Sequence, residues 1–257
     1  MDWLQIIVLS LVQGLTEFLP ISSSAHLVLP AQLTNWPDQG LAFDVGVHFG
    51  TLVAVVAYFR VELTRMTGAI LTYPKHRQYL ADIDLVLKLA VATLPVIVVG
   101  FLAKDFVADN LRSVPVIAVS TLLFGLVLWF ADRRPGQGKI PAWRDAVIIG
   151  LAQVLALVPG TSRSGITITA ALLVGLSRVG AAKFSFLLAI PTIAGAQLLL
   201  TLDLMAYGSE RAWNDLITGA VIAGISAYLC IHYFIALVER TGMLPYVIYR
   251  LILGVVL

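Results

Sequence analysis

The chain has 257 residues, 59% hydrophobic and only 12% charged, with a mean hydropathy of +0.92 and a formal net charge of +2. Soluble domains carry roughly 25% charged residues, so the composition excludes a soluble globular protein, and the small net charge gives no support for a nucleic-acid partner. The one cysteine, Cys230, rules out an intramolecular disulfide; between Leu229 and Ile231 it reads as a packed small residue.

A helix that crosses the hydrocarbon needs about 20 apolar residues. No basic region or small-residue cleavage site follows Met1-Asp2-Trp3, so a removable signal peptide is not expected. Trp3–Leu19 is apolar but stops at Pro20, where Ser22, Ser23 and Ser24 lead into a short apolar piece near Leu27–Leu33. Spans are expected at Leu41–Phe59, Leu85–Ala103 and Val114–Phe130. Ala146–Val158 stops at Pro159-Gly160, and a hydroxyl-rich run leads into Ile166–Leu176. Phe184–Leu202 and Asp215–Leu237 are the next spans; Leu244–Leu257 is shorter and reaches only the interface. None alternates in polarity as barrel strands do.

The two interrupted segments read as re-entrant hairpins, because irregular backbone at membrane depth is stable only where it lines a protein cavity. The alternative is a kinked spanning helix. The breaks resemble each other, Pro20-Ile21-Ser22-Ser23-Ser24 against Pro159-Gly160-Thr161-Ser162-Arg163. Paired broken helices in two halves mark an internal repeat with the site at its interface. The expected fold is therefore an all-α polytopic membrane protein in one domain. Its halves, about 1–131 and 144–257, are inverted-topology repeats, each a re-entrant helical hairpin plus about three transmembrane helices.

Positive charge sets the orientation. Arg60, Arg65, Lys75, Arg77 and Lys88, then Arg133, Arg134, Lys139 and Arg144, mark cytoplasmic loops. The loops with Lys104 and Arg112, and with Arg211, face outward. The hairpin at Pro20 then enters from outside, the one at Pro159 from the cytoplasm, and the breaks meet near the midplane.

Arg163 sits at membrane depth, where a guanidinium costs about 2.5–3.5 kcal/mol on insertion scales. It needs a polar cavity or an anion. Gly160 permits a tight turn, and the amides of Thr161 to Ser164, ahead of a helix starting near Ile166, suit an anion. Arg163 adds a fork for phosphate oxygens; Ser162, Ser164 and Thr167 add donors. In the other break, Gln13 and Glu17 lie on one helical face, where Glu17 acts as a base or, with Gln13, as a ligand for a divalent metal. Ser22, Ser23 and Ser24 cap the next helix, bind phosphate, or supply a nucleophile. His26 is the expected general acid or base. His48 (with Asp44 four residues before it), His76 and His232 lack such company and are expected outside the site.

The run Gln13-Gly14-Leu15-Thr16-Glu17-Phe18-Leu19-Pro20-Ile21-Ser22-Ser23-Ser24-Ala25-His26, with Pro159-Gly160-Thr161-Ser162-Arg163-Ser164-Gly165, closely resembles the bacterial undecaprenyl-diphosphate phosphatases, or bacitracin-resistance proteins. Ala181–Pro191 resembles them too, and the likeness spans essentially the whole chain. The resemblance implies hydrolysis of a polyprenyl diphosphate lipid to the monophosphate and inorganic phosphate, which recycles the carrier for cell-wall synthesis and confers bacitracin resistance. It implies a divalent cation, Mg²⁺ or Ca²⁺, an inverted-repeat fold in the bacterial inner membrane and a site open to the outer face. Family roles fall on Glu17, Ser23, His26 and Arg163. Where the family's first acid varies between Glu and Gln, this chain has Gln13; where the family often has Ser-Ser-Thr-Gly-His, it has Ser-Ser-Ser-Ala-His. The nucleophile is Ser23 activated by His26, or a water activated by Glu17 or His26. A lipid-phosphate transporter or flippase is the rival, since carriers share this architecture. Small residues in Gly219–Gly224 could pack helices within the chain or build a homodimer.

Overall fold

A computed structural model describes residues 2–23, 25–27, 36, 39–72, 80–133, 136, 138–207 and 210–257. It is helical throughout, with no strand among the described residues. In chain order the helices are α1 (Trp3–Thr16), α2 (Gly40–Tyr58), α3 (Arg60–Thr72), α4 (Leu80–Leu102), α5 (Lys104–Asn110), α6 (Val114–Asp132), α7 (Trp143–Gln153), α8 (Arg163–Leu173), α9 (Arg178–Tyr207), α10 (Glu210–Thr241) and α11 (Leu244–Val256). A 3₁₀ turn, Val154–Leu157, extends α7 to the second break. After the first break, residues 23 and 25–27 are helical. Most of the apolar piece near Leu27–Leu33 lies outside the described residues.

Among the described residues, four helices are long and apolar enough to cross a membrane: α4, α6, Arg178–Leu198 of α9 and Trp213–Thr241 of α10. Phe43–Tyr58 of α2 and α3 pass the same test as a pair bent by 75°, which makes five if the pair is one broken span. This is an all-helical, multi-pass membrane architecture. The C-terminal apolar piece is α11, a shorter helix whose 13 residues cover only about 20 Å at 1.5 Å each. The segment Arg60–Thr72, read from sequence as part of a loop, is helix α3. Its charges, with Glu62 in the first turn, let it run as a helix while keeping its hydropathy near zero.

Helix α10 is the central strut, with α1 and α2 packed along it. A Cβ on Gly50 of α2 would lie 2.0 Å from the Ala220 carbonyl oxygen, so only glycine fits that crossing. Gly219 and Gly224 also face α2, against Phe43 and Gly50, so this small-residue stretch serves packing inside the chain. On the other side α7 and α9 both pack on α4. A Cβ on Gly14 of α1 would strike Ser226 and Ala223 of α10, and one on Gly150 of α7 would strike Ala92 of α4. Each broken segment therefore leans its first helix on a long helix of the other half.

Two charged contacts tie helix ends together. Arg178, opening α9, donates from Nε to Asp132 Oδ1 at 2.6 Å and from Nη2 to Oδ2 at 3.0 Å. The Met243 amide, between α10 and α11, reaches the same Oδ2 at 3.0 Å. The large apolar core includes Phe18, Phe186 and Phe234. Phe18 and Phe186 meet edge to face at 5.3 Å, an arrangement favoured by the ring quadrupoles, directly beneath the first break.

Candidate active site

Each break is fixed by a serine in the left-handed region. Ser22 has φ 75° and Ser162 φ 69°, a conformation uncommon for non-glycine residues. The two pair at an offset of 140 residues, which also sets Gln13 against Gln153. This register is one residue away from the alignment on Pro20 and Pro159. Ser162 caps α8, its Oγ accepting from the Gly165 amide at 3.1 Å. The cap starts the helix at Arg163 rather than near Ile166 and leaves the amides at the helix start without intrahelical acceptors. The Thr161 amide is already used, donating to Val158 O at 3.2 Å. Gly160 is needed twice: its φ is 90°, and a Cβ would sit 2.2 Å from Ser120 Oγ.

The two breaks touch. Arg163 Nη2 donates to Glu17 Oε1 at 3.0 Å, across 146 residues of sequence. Ser164 Oγ donates to Leu19 O at 2.8 Å. Glu17 Oε2 accepts from Ser23 Oγ at 3.0 Å and from Gln13 Nε2 at 2.9 Å. Arg163 also donates from Nη1 to Ser185 O at 3.3 Å, and its guanidinium lies 5.8 Å from the centre of the Phe18 ring. Glu17 and Arg163 side chains are 9% and 13% exposed, and both line a cavity of about 290 Å³.

That cavity is lined by five of the residues singled out from sequence, Glu17, Ser22, Ser23, Ser162 and Arg163. Gln13, Gly160, Thr161, Ser164 and Thr167 do not line it. Thr167 Oγ1 shares a hydrogen bond with Ser185 Oγ at 2.6 Å, steadying the turn that carries Arg163. Ser24 lies outside the described residues. His26 does not line the cavity. Its Nδ1 donates to Ser22 O at 2.6 Å, and its Nε2 accepts from the Tyr249 hydroxyl at 2.6 Å. The hydroxyl of Ser23 is thus paired with Glu17 rather than with His26.

Three contributors were not found from sequence. Arg250 of α11 is fully buried and donates to Pro20 O at 3.3 Å, Gly160 O at 2.9 Å, Thr161 O at 2.9 Å and Thr121 O at 3.2 Å. One guanidinium thereby satisfies carbonyls from both breaks. Its signal was the one that exposed Arg163, a charge inside apolar sequence. The others are His48 of α2, expected outside the site, and Gln197 of α9; both line the cavity and both are polar residues inside apolar spans.

The model of the family described as bacitracin resistance protein BacA matches residues 6–256. The chain belongs to the BacA family. A relative from Alcanivorax borkumensis, named undecaprenyl-diphosphatase, is 54% identical over 261 residues, spanning 100% of this chain and 98% of the relative. In this BacA-family member, among the described residues, no three His, Cys, Asp or Glu side chains gather to hold a metal. Gln13 and Glu17 are bonded to each other, and both Glu17 oxygens are taken by donors.

Proposed function

We propose that this protein hydrolyses undecaprenyl diphosphate to undecaprenyl phosphate and inorganic phosphate, recycling the lipid carrier for cell-wall synthesis and conferring bacitracin resistance. The observation that carries the reading is the buried pair of Glu17 and Arg163 at 3.0 Å, opening on one polar cavity. Phosphoryl transfer needs charge neutralised on the transferring oxygens and a positioned nucleophile. Arg163 and the amides opening α8 supply the first. Ser23 supplies the second, since its hydroxyl already donates to a carboxylate that can take the proton. The Oγ–phosphorus bond forms at the terminal phosphorus as the bridging P–O bond breaks. The electron pair leaves on the lipid monophosphate, and the serine proton goes to Glu17.

The divalent cation, Mg²⁺ or Ca²⁺, belongs in this reading with the diphosphate, which brings hard oxygen ligands of its own. When bound it would neutralise phosphate charge. Chelator is expected to lower phosphate release, and added Mg²⁺ or Ca²⁺ to restore it; release unchanged by chelator would remove the cation from the account.

The prenyl chain would lie in the apolar groove of about 470 Å³ between α2 and α10, lined by Phe49, Val53, Ala57, Gly224 and Tyr228 among others. His48 lines the polar cavity, and the next residue, Phe49, lines the groove. The halves are read as inverted repeats. The left-handed serines and the exchange of first helices, α1 onto α10 and α7 onto α4, support that. The protein would sit in the bacterial inner membrane with the cavity open to the outer side.

The test is release of labelled terminal phosphate by purified protein in detergent. Release supports a phosphatase; a flippase would release none. Rapid quenching is expected to trap label on Ser23. Arg163→Lys and Glu17→Ala are each expected to lose most turnover, on the order of 100-fold, while the folded protein is retained. Wild-type rates in either variant would contradict the assignment.

A further inference from the structure

The cavity has two kinds of wall. One carries donors, the Arg163 guanidinium and the start of α8. The other carries acceptors that the steps above do not use. His48 Nδ1 lies 2.8 Å from Asp44 O. A carbonyl only accepts, so Nδ1 carries the hydrogen, and in that tautomer Nε2 presents its lone pair. Gln197 Nε2 donates to Val45 O at 2.9 Å, which fixes the amide and leaves Oε1. That oxygen is buried and, among the described residues, has no hydrogen-bond partner, in a residue only 8% exposed. Buried polar atoms without partners are rare. Gln197 thus meets α2 about one turn before His48. Both residues line the cavity that holds Glu17, Ser23 and Arg163.

A diphosphate has acceptor oxygens and cannot satisfy two further acceptors. A water has two protons and can. We infer that His48 Nε2 and Gln197 Oε1 hold the hydrolytic water, and that His48 takes its proton. The inference rests on the phosphatase reading and deepens it. With the phosphoryl group on Ser23, the water oxygen bonds to phosphorus and the P–Oγ bond breaks. The electron pair stays on Oγ, which recovers its proton from Glu17. The water proton goes to His48 Nε2 and then to solvent, and inorganic phosphate leaves.

The test uses purified full-length His48→Ala and Gln197→Ala, each checked for wild-type elution in gel filtration, with undecaprenyl diphosphate labelled in its terminal phosphate. In both variants lipid monophosphate is expected in a burst of about one equivalent, with phosphate release slowed about 100-fold or more in His48→Ala and label accumulating on Ser23. Added imidazole is expected to speed release by His48→Ala, a response that loss of packing alone would not give. Wild-type release rates in both variants would overturn the inference, as would slow release by His48→Ala with neither label on Ser23 nor response to imidazole. A wild-type protein that releases no phosphate would instead sink the phosphatase reading itself.

Discussion

Arg163 and Arg250 show how one residue type serves two ends inside a membrane protein. Arg163 spends its fork on Glu17 and one carbonyl, and still faces a cavity. Arg250 donates to four backbone carbonyls and is fully buried. Replacing Arg250 by Met would strand those oxygens, at about 1–3 kcal/mol for each one left buried. Thermal unfolding in detergent is expected to show a clear drop in Tm for Arg250→Met. Arg250→Lys should rescue little, because a single ammonium cannot fork across both breaks. A wild-type Tm for Arg250→Met would contradict this role. Arg163 was legible in the sequence because glycine and hydroxyl residues surround it. Arg250 carried the same charge-in-apolar-sequence signal, but no glycine or hydroxyl run surrounds it, and its partners are carbonyls, which leave no trace in sequence. His26 was legible as a residue set apart, yet its contacts are Ser22 O and the hydroxyl of Tyr249, 223 positions along the chain.

At the scale of elements, the long spans were readable because hydropathy alone defines them. Val114–Phe130 corresponds to α6 at Val114–Asp132, and Leu85–Ala103 to α4 at Leu80–Leu102. Helix ends and bends were less readable. The turn from α2 into α3 at Phe59 has neither proline nor glycine to announce it. The start of α8 depended on one side-chain cap, Ser162 to Gly165, and not on composition. Two predictions belong here. Gly50→Val drives a side chain into Ala220 O and is expected to separate α2 from α10, seen as aggregation in gel filtration; a monodisperse, active Gly50→Val would refute that crossing. Val53 is 50% exposed and lines the apolar groove. Val53→Trp should therefore fill the groove without disturbing the core, raising KM for the undecaprenyl substrate several-fold more than for a farnesyl analogue. Equal effects on both substrates would move the tail elsewhere.

For the whole molecule, the site exists only because distant pieces of chain converge. Hydropathy gives the spans, but only packing joins Glu17 to Arg163, 146 residues apart, and clamps both breaks through Arg250. Each break alone would hold one uncompensated charge in an apolar layer, which is costly. Together they make a compact ion pair with room beside it for a phosphate head. Groups that act as one unit are strongly non-additive in kinetics. The decisive measurement is a double-mutant cycle in kcat/KM for phosphate release, with Glu17→Gln, Arg163→Met and the two combined. The account predicts that the double variant is barely worse than the poorer single variant. Losses that simply multiply would show that the two breaks work apart, and would contradict it.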